Sequence, residues 1–160
     1  MSGEDREKGM DSFLRIDLSD ADIYEAMKDI PGYLDITTGA SAVLVYGTIK
    51  SPLAQPRNLV GGHVLSGLIG VVSYQLCHSC MWLAAVIAVA TAISLMHATK
   101  TLHPPGGATA LIAVIGGDKI HNLGYLYPIV PVGLGAVIML AIALPVNNLP
   151  RTRRYPEYWI

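Results

Sequence analysis

Residues 58–99 form a run of 42 residues without an Asp, Glu, Lys or Arg. Within it, segments 59–77 and 81–99 are each 19 residues, about 28 Å as helix at roughly 1.5 Å per residue. The hydrocarbon core of a bilayer is about 30 Å thick. The polar break Cys77-His78-Ser79-Cys80 separates the two, so the pattern predicts a transmembrane hairpin. A third span falls within 124–149, interrupted by Pro128, Pro131 and Pro145. Two more apolar stretches, 39–49 and 102–115, are short for a crossing, and the second opens on two prolines. Stretches of that length read as re-entrant or interfacial pieces. The predicted fold is all-α: a polytopic helical membrane protein with three full spans and one or two short or re-entrant helices.

Composition agrees with that pattern. Of 160 residues, 52% are hydrophobic and 14% charged, against about a quarter charged in an average globular domain. Too few charges remain to clothe a water-soluble surface or to grip nucleic acid. The charges are also unevenly placed. Residues 1–35 carry ten Asp/Glu and four Lys/Arg, whereas residues 36–150 carry Lys50, Arg57, Lys100 and Lys119 against Asp118 alone. The tail adds Arg151, Arg153 and Arg154 against Glu157. We therefore divide the chain into an acidic cytoplasmic head, 1–38, and a transmembrane domain, 39–160. Within the head, Ser19 can cap a short amphipathic helix over about 20–30, with Asp20 and Asp22 near its positive end and Pro31-Gly32 as its stop. It reads either as a helix lying at the membrane edge or as a regulatory element. No signal peptide is expected from residues 1–25, which lack a basic start and an apolar stretch.

Lys and Arg in short loops set orientation. If 102–115 carries the chain across, Lys50, Arg57, Lys100, Arg151, Arg153 and Arg154 share one side and Lys119 stands on the other. That bias predicts a cytoplasmic carboxyl end and a multi-pass protein of the plasma or inner membrane.

Candidate chemistry centres on Thr101-Leu-His-Pro-Pro-Gly-Gly-Ala-Thr109. Prolines suit a first helical turn, and glycines leave backbone N–H groups uncovered, so Pro104, Pro105, Gly106 and Gly107 could aim free donors at a small anion. A second polar stretch, 51–58, supplies Gln55, Asn58 and Arg57, whose planar fork suits oxyanions. The bland alternative is a simple helix break, with Arg57 anchored to lipid phosphate. His63, His97 and His103 are candidates for an intramembrane relay, although His97 lies near an interface where it can snorkel. Gly62, Ser66 and Gly70 recur at four-residue spacing beside His63, which predicts a close helix contact. Cys77 and Cys80 with His78 make a weak metal signal without a second pair, so free thiols, no metal and no cofactor are expected. The body has no paired carboxylates and no Ser-His-Asp set, and no enzyme is expected.

The two short stretches are alike: Gly39-Ala-Ser-Ala-Val-Leu-Val-Tyr-Gly47 aligns with Gly107-Ala-Thr-Ala-Leu-Ile-Ala-Val-Ile115, and each is followed by Asn-Leu and a span. Such self-similarity is a habit of transporters built from repeats.

The stretch 51–58, then Gly62-His63 entering a span, then 101–111 together resemble the HPP family of integral membrane proteins. The likeness runs from about Gly39 to Trp159 and includes Asn147, Asn148, Arg153, Arg154, Tyr155 and Pro156. The resemblance implies a small helical membrane protein of about four spans, connected with transport, some of whose cyanobacterial and plastid relatives are linked to nitrite. It carries over His103, Pro104 and Pro105 with Gln55, Arg57 and Asn58 as site candidates, to which the residues add Gly106, Gly107 and His63. Family members usually have a full helix before the Gly-Ala-Ser-Ala segment; here the acidic head occupies that place. The expected function is a small transporter or channel for a small inorganic anion such as nitrite. The alternative is a non-transporting module that anchors and oligomerises, with the acidic head regulatory. Expected partners are the lipid bilayer, the anion and further copies of the chain, with no nucleic acid.

Overall fold

A computed structural model of the chain describes residues 31–159, and every regular element among them is a helix. Helix α1 spans Pro31–Ala42 and widens into a π-helical turn at Val43–Gly47. After a short 3-10 turn at Pro52–Ala54 come α2, Pro56–Cys77, and α3, Met81–Ala98. Helix α4 is Pro105–Ile115, and α5 is the short Asp118–Leu123. Helix α6, Leu134–Asn148, is entered through an irregular turn at Pro128–Gly133. Among the described residues, Pro56–Cys77, Met81–Ala98 and Pro128–Asn148 are long and apolar enough to cross a membrane.

Local chemistry accounts for these bounds. Gln55 is extended (φ −74°, ψ 156°), the conformation imposed on a residue before proline, and Pro56 then opens α2 where its missing N–H has no partner to lose. Between Pro128 and Pro131 the backbone of Val130 leaves helical geometry (φ −130°, ψ 117°), because a proline in a helix removes an amide and clashes with the preceding turn. Pro31 and Gly32 open the described helix Pro31–Gly47, whose carboxyl half carries residues 39–47 of the first short apolar stretch, and the predicted stop concerns the chain before them. The predicted amphipathic helix over 20–30 lies outside the described residues.

Packing relies on small side chains. Ala84, Ala88 and Ala92 form a fully buried stripe on α3 against Ala110 and Val114 of α4, while Trp82 and Val86 face outward. A second cluster joins Val45, Leu59, Ala136, Met139 and Ala143 with Tyr155 of the tail.

The helices run between two ends. At one end the loops are tied by side chain to backbone bonds: Arg57 Nη2 donates to Thr99 O (2.7 Å), Asn58 Nδ2 to Leu102 O (2.8 Å) and Tyr155 Oη to Ala54 O (2.8 Å). At the other, the His121 ring stacks on Tyr74 at 3.6 Å and Tyr125 Oη donates to Gln75 Oε1 (2.7 Å). Gly106, in the first turn of α4, lies against Gly62 and Ser66 of α2, and the chain reaches the Tyr74 end just beyond Ile115. The 102–115 stretch therefore passes from one end to the other rather than turning back. Lys50, Arg57, Lys100 and the three tail arginines belong to the tied end, and Asp118-Lys119 to the opposite end.

Two expectations follow. In a chain with Cys77 and Cys80 replaced by Ser, Arg57→Cys and Arg153→Cys react with an impermeant maleimide from the same side of the membrane, and Lys119→Cys from the other. Labelling of positions 57 and 153 from opposite sides contradicts this topology. The second concerns Tyr155, where burial, with a contribution from Tyr46, pushes the phenol from 10.0 up to about 12. A raised folded value means that the stabilisation is fully present below pH 10 and is lost as pH rises through about 12. The melting temperature of the wild type thus falls more steeply over that window than that of Tyr155→Phe. At neutral pH Tyr155→Phe costs about 0.5–1.5 kcal/mol for the lost bond. Equal slopes in wild type and variant would refute the assignment.

Candidate functional site

Four buried polar side chains from three helices and the loop before α4 meet in the middle of this apolar packing. Ser41 (α1), His103 (before α4) and Thr109 (α4) are fully buried, and His63 (α2) is 5% exposed. Ser41 Oγ lies 2.8 Å from His63 Nε2 and 2.9 Å from His103 Nε2. On the far side of His63, Nδ1 lies 2.7 Å from Thr109 Oγ1. On the far side of His103, Nδ1 lies 2.8 Å from the carbonyl oxygen of Leu53. The imidazole centroids are 4.9 Å apart.

The end group assigns the protons. A carbonyl can only accept, so His103 Nδ1 carries the hydrogen. With both rings neutral, His103 Nε2 is then an acceptor and Ser41 Oγ–H donates to it. The Ser41 oxygen in turn accepts from His63 Nε2–H, which leaves His63 Nδ1 to accept from Thr109 Oγ1–H. Every bond points the same way, from Thr109 to Leu53. Tyr127 Oη donates to the Thr109 carbonyl (3.1 Å) and so fixes the start of the chain. Among the described residues no buried side-chain nitrogen or oxygen is left without a partner.

Close backbone approach makes this meeting possible. A Cβ on Gly62 would lie 2.6 Å from His103 Cβ, and one on Gly70 would lie 2.5 Å from the Ala110 oxygen. The predicted contact at Gly62, Ser66 and Gly70 is thus the seam between α2 and α4. A small cleft lined by Thr37, Thr38, His63, Gly135 and Met139 leads to His63 and has room for about one water molecule.

The remaining expected site residues fall elsewhere. Gln55 is buried and fully engaged, donating to Ile49 O (2.9 Å) and Ser51 O (2.8 Å) while Glu157 N–H donates to its Oε1 (2.9 Å). Arg57 and Asn58 hold the Thr99 and Leu102 carbonyls described above. The Gly106 and Gly107 amides are also occupied, bonding His103 O (2.8 Å) and Pro104 O (3.0 Å) in a tight turn. This differs from the uncovered donors expected there: Pro104 is already helical (φ −52°, ψ −39°), so the turn closes on itself. Pro104 is exposed, while Pro105 is buried at the first position of α4. Of the three histidines offered as a relay, His63 and His103 come together and His97 is exposed on α3.

Ser41 and Thr109 were not among the expected site residues. Their signal lay in the self-similarity of the two short stretches, which pairs these two hydroxyls; in the structure they bond opposite nitrogens of one ring, His63. The helices that carry them run in opposite directions, since α1 is antiparallel to α2 (Ser41 at His63, Val45 at Leu59) and α4 is parallel to it.

Fold and site define a polytopic helical membrane protein with a buried polar centre. The chain belongs to the HPP family: the family's transmembrane region matches residues 27–156. Two transmembrane proteins of Dictyostelium discoideum are each 49% identical over 123 residues, covering 75% of this chain and 39% and 43% of their own lengths. The chain thus spans about two fifths of the curated relatives it matches. No solved structure matches.

The two glycines of the motif separate in their tolerance. A Cβ on Gly106 would lie 2.7 Å from Ser66 Oγ and 3.0 Å from the Gly62 oxygen, whereas one on Gly107 meets nothing nearer than 3.9 Å. Gly106→Ala is expected to destabilise by about 1–3 kcal/mol through overpacking. Gly107→Ala should be neutral or stabilising by up to about 1 kcal/mol, because alanine restricts the unfolded chain. Thermal unfolding in detergent measures both, and equal melting temperatures would contradict the seam.

Proposed function

We propose that this protein is a small transporter or channel for a small inorganic anion such as nitrite, with the Thr109–His63–Ser41–His103 chain at its centre. The observation that carries the reading is that chain itself: two imidazoles and two hydroxyls fully or nearly buried among spanning helices. Intramembrane ionisable groups are costly, and transport pathways are the usual reason for keeping them. The opposed directions of α1 and α4, with their matching sequences, support the same reading, because inverted helix pairs around a central site are a transporter architecture. The anion rests on the family likeness and on charge. Lys50, Arg57, Lys100, Arg151, Arg153 and Arg154 gather at one end, which we take as the cytoplasmic one, and draw anions to the mouth.

The protein acts without catalysis, in a plasma or inner membrane, as a homo-oligomer, with the acidic head on the cytoplasmic side. Pro104, Pro105, Gly106 and Gly107 shape the turn that presents His103, while Gln55, Arg57 and Asn58 hold the loops around it.

Purified full-length chain in liposomes tests the reading. Nitrite uptake should exceed that of protein-free vesicles, and His103→Ala should lower it by about tenfold, equivalent to some 1.4 kcal/mol on the barrier. If nitrite, nitrate and formate all move no faster than through bare lipid, the reading fails and the non-transporting anchor module takes its place.

A further inference from the structure

We propose that Cys77 and Cys80 are a redox-active dithiol, which closes reversibly into an intramolecular disulfide across the turn between α2 and α3. The pair is independent of the transport reading, which leaves both residues idle; only the side of the membrane it faces rests on the orientation proposed above.

The turn brings the two residues together. Cys77 is the last residue of α2, and Cys80 stands just before α3. His78 is still helical (φ −56°, ψ −25°), whereas Cys80 is not (φ −140°, ψ 80°). The Cys80 N–H donates to the Cys77 carbonyl (2.8 Å), which closes a turn from 77 to 80. Such a turn holds its outer Cα atoms less than about 7 Å apart, and disulfides span Cα separations of about 4.4–6.8 Å. The backbone has therefore met most of the requirement before any sulfur moves. Both thiols are half-buried, so a small reagent in water can reach them. Among the described residues no group of three His, Cys, Asp or Glu side chains stands close enough to hold a metal ion, which leaves oxidation as the chemistry open to two thiols.

The setting favours a bridge that opens again. Closing so short a loop removes little entropy from the unfolded chain, so the bond adds little stability, and an accessible disulfide is open to reduction. The turn lies at the end where Tyr74 stacks on His121, away from the six cations. With the cation end cytoplasmic, it faces the outer compartment, where disulfides persist. Cys77 also packs against the cluster of Ala84, Ala88, Ala110 and Val114 that joins α3 to α4. A bridge would pin the last residue of α2 to the start of α3 beside that cluster.

The oxidant is a small-molecule disulfide, such as glutathione disulfide, and the exchange balances. The thiolate of one cysteine attacks a sulfur of the reagent. The reagent's S–S bond breaks, and one glutathione leaves and takes up the proton that the cysteine lost. The second cysteine, as thiolate, attacks the protein sulfur of the mixed disulfide, and the second glutathione leaves with the second proton. The protein gives up two hydrogens and two electrons, and one glutathione disulfide becomes two glutathiones.

The experiment uses the full chain in detergent, reduced with dithiothreitol, freed of it and equilibrated with glutathione and its disulfide. Excess maleimide then counts free thiols by intact mass. Wild type should pass from two maleimide adducts to none while staying a monomer on a non-reducing gel, and return to two after dithiothreitol. Cys77→Ser and Cys80→Ser each keep one thiol and should instead hold a glutathione adduct, because no partner is left to displace it. The preformed turn should make the equilibrium constant for closure about tenfold larger in the folded chain than in the same chain unfolded in guanidinium, equivalent to about 30 mV. Four results overturn the proposal: two maleimide adducts that persist in excess glutathione disulfide, a glutathione adduct that persists on wild type, disulfide-linked dimers in place of the closed monomer, or equal constants for folded and unfolded chain. The side of the membrane is read separately, with an impermeant phosphine added to intact cells, which should open the bridge. A bridge that closes in detergent but is shielded from the phosphine in cells supports the pair and overturns the orientation.

Discussion

The contact between α2 and α4 holds the rest of the structure in place. In lipid there is no hydrophobic gain from bringing two apolar helices together, so association rests on close packing and on hydrogen bonds. Gly62, Ser66 and Gly70 present a nearly side-chain-free strip of α2, and Gly106, Ala110 and Ala113 answer it from α4. At this separation the His63 side chain reaches Thr109, and His103 Cβ sits where a larger residue at position 62 would have stood. An extra methyl in the seam would displace one histidine from the other. The polar centre is thus a consequence of small residues elsewhere.

A second constraint works at the loops. Backbone groups at helix ends lack partners, and in a membrane environment water is a poor substitute. The loop residues that look like an anion site on paper meet this need first. Arg57 takes the Thr99 carbonyl, Asn58 takes Leu102, Gln55 takes Ile49 and Ser51, and Asn147 takes Val45 (2.9 Å). Asn148 and Tyr155 exchange two bonds that fold the tail back over the domain. These residues hold the ends of five helices, α1 to α4 and α6, in register, and the Leu53 carbonyl stands against His103 in the same set of loops.

The outcome is a division of labour along the chain. The apolar spans supply walls, the Pro- and Asn-containing loops supply rigidity at one end, and two hydroxyls from sequence-similar but oppositely directed helices bracket one imidazole. Ser41 stands just before the π-helical turn at Val43–Gly47, and such turns are frequent at functional positions because they re-aim side chains.

How much of this was legible beforehand follows from the range of each interaction. The spans 59–77 and 81–99 were readable to within three residues at each end of Pro56–Cys77 and Met81–Ala98, because length and absence of charge are local properties. The seam at Gly62, Ser66 and Gly70 was readable from its spacing, and the common end of the six cations from the count of crossings. The occupation of the Gly106 and Gly107 amides was not, since it depends on the dihedral angles of Pro104. The joining of Ser41, His63, His103 and Thr109 was the least accessible, because up to 62 residues separate the bonded partners. Residue types and helical periodicity determined what kind of molecule this is and which polar residues had to be housed. Only the tertiary packing, through the distance of closest approach between backbones, decided which of them touch.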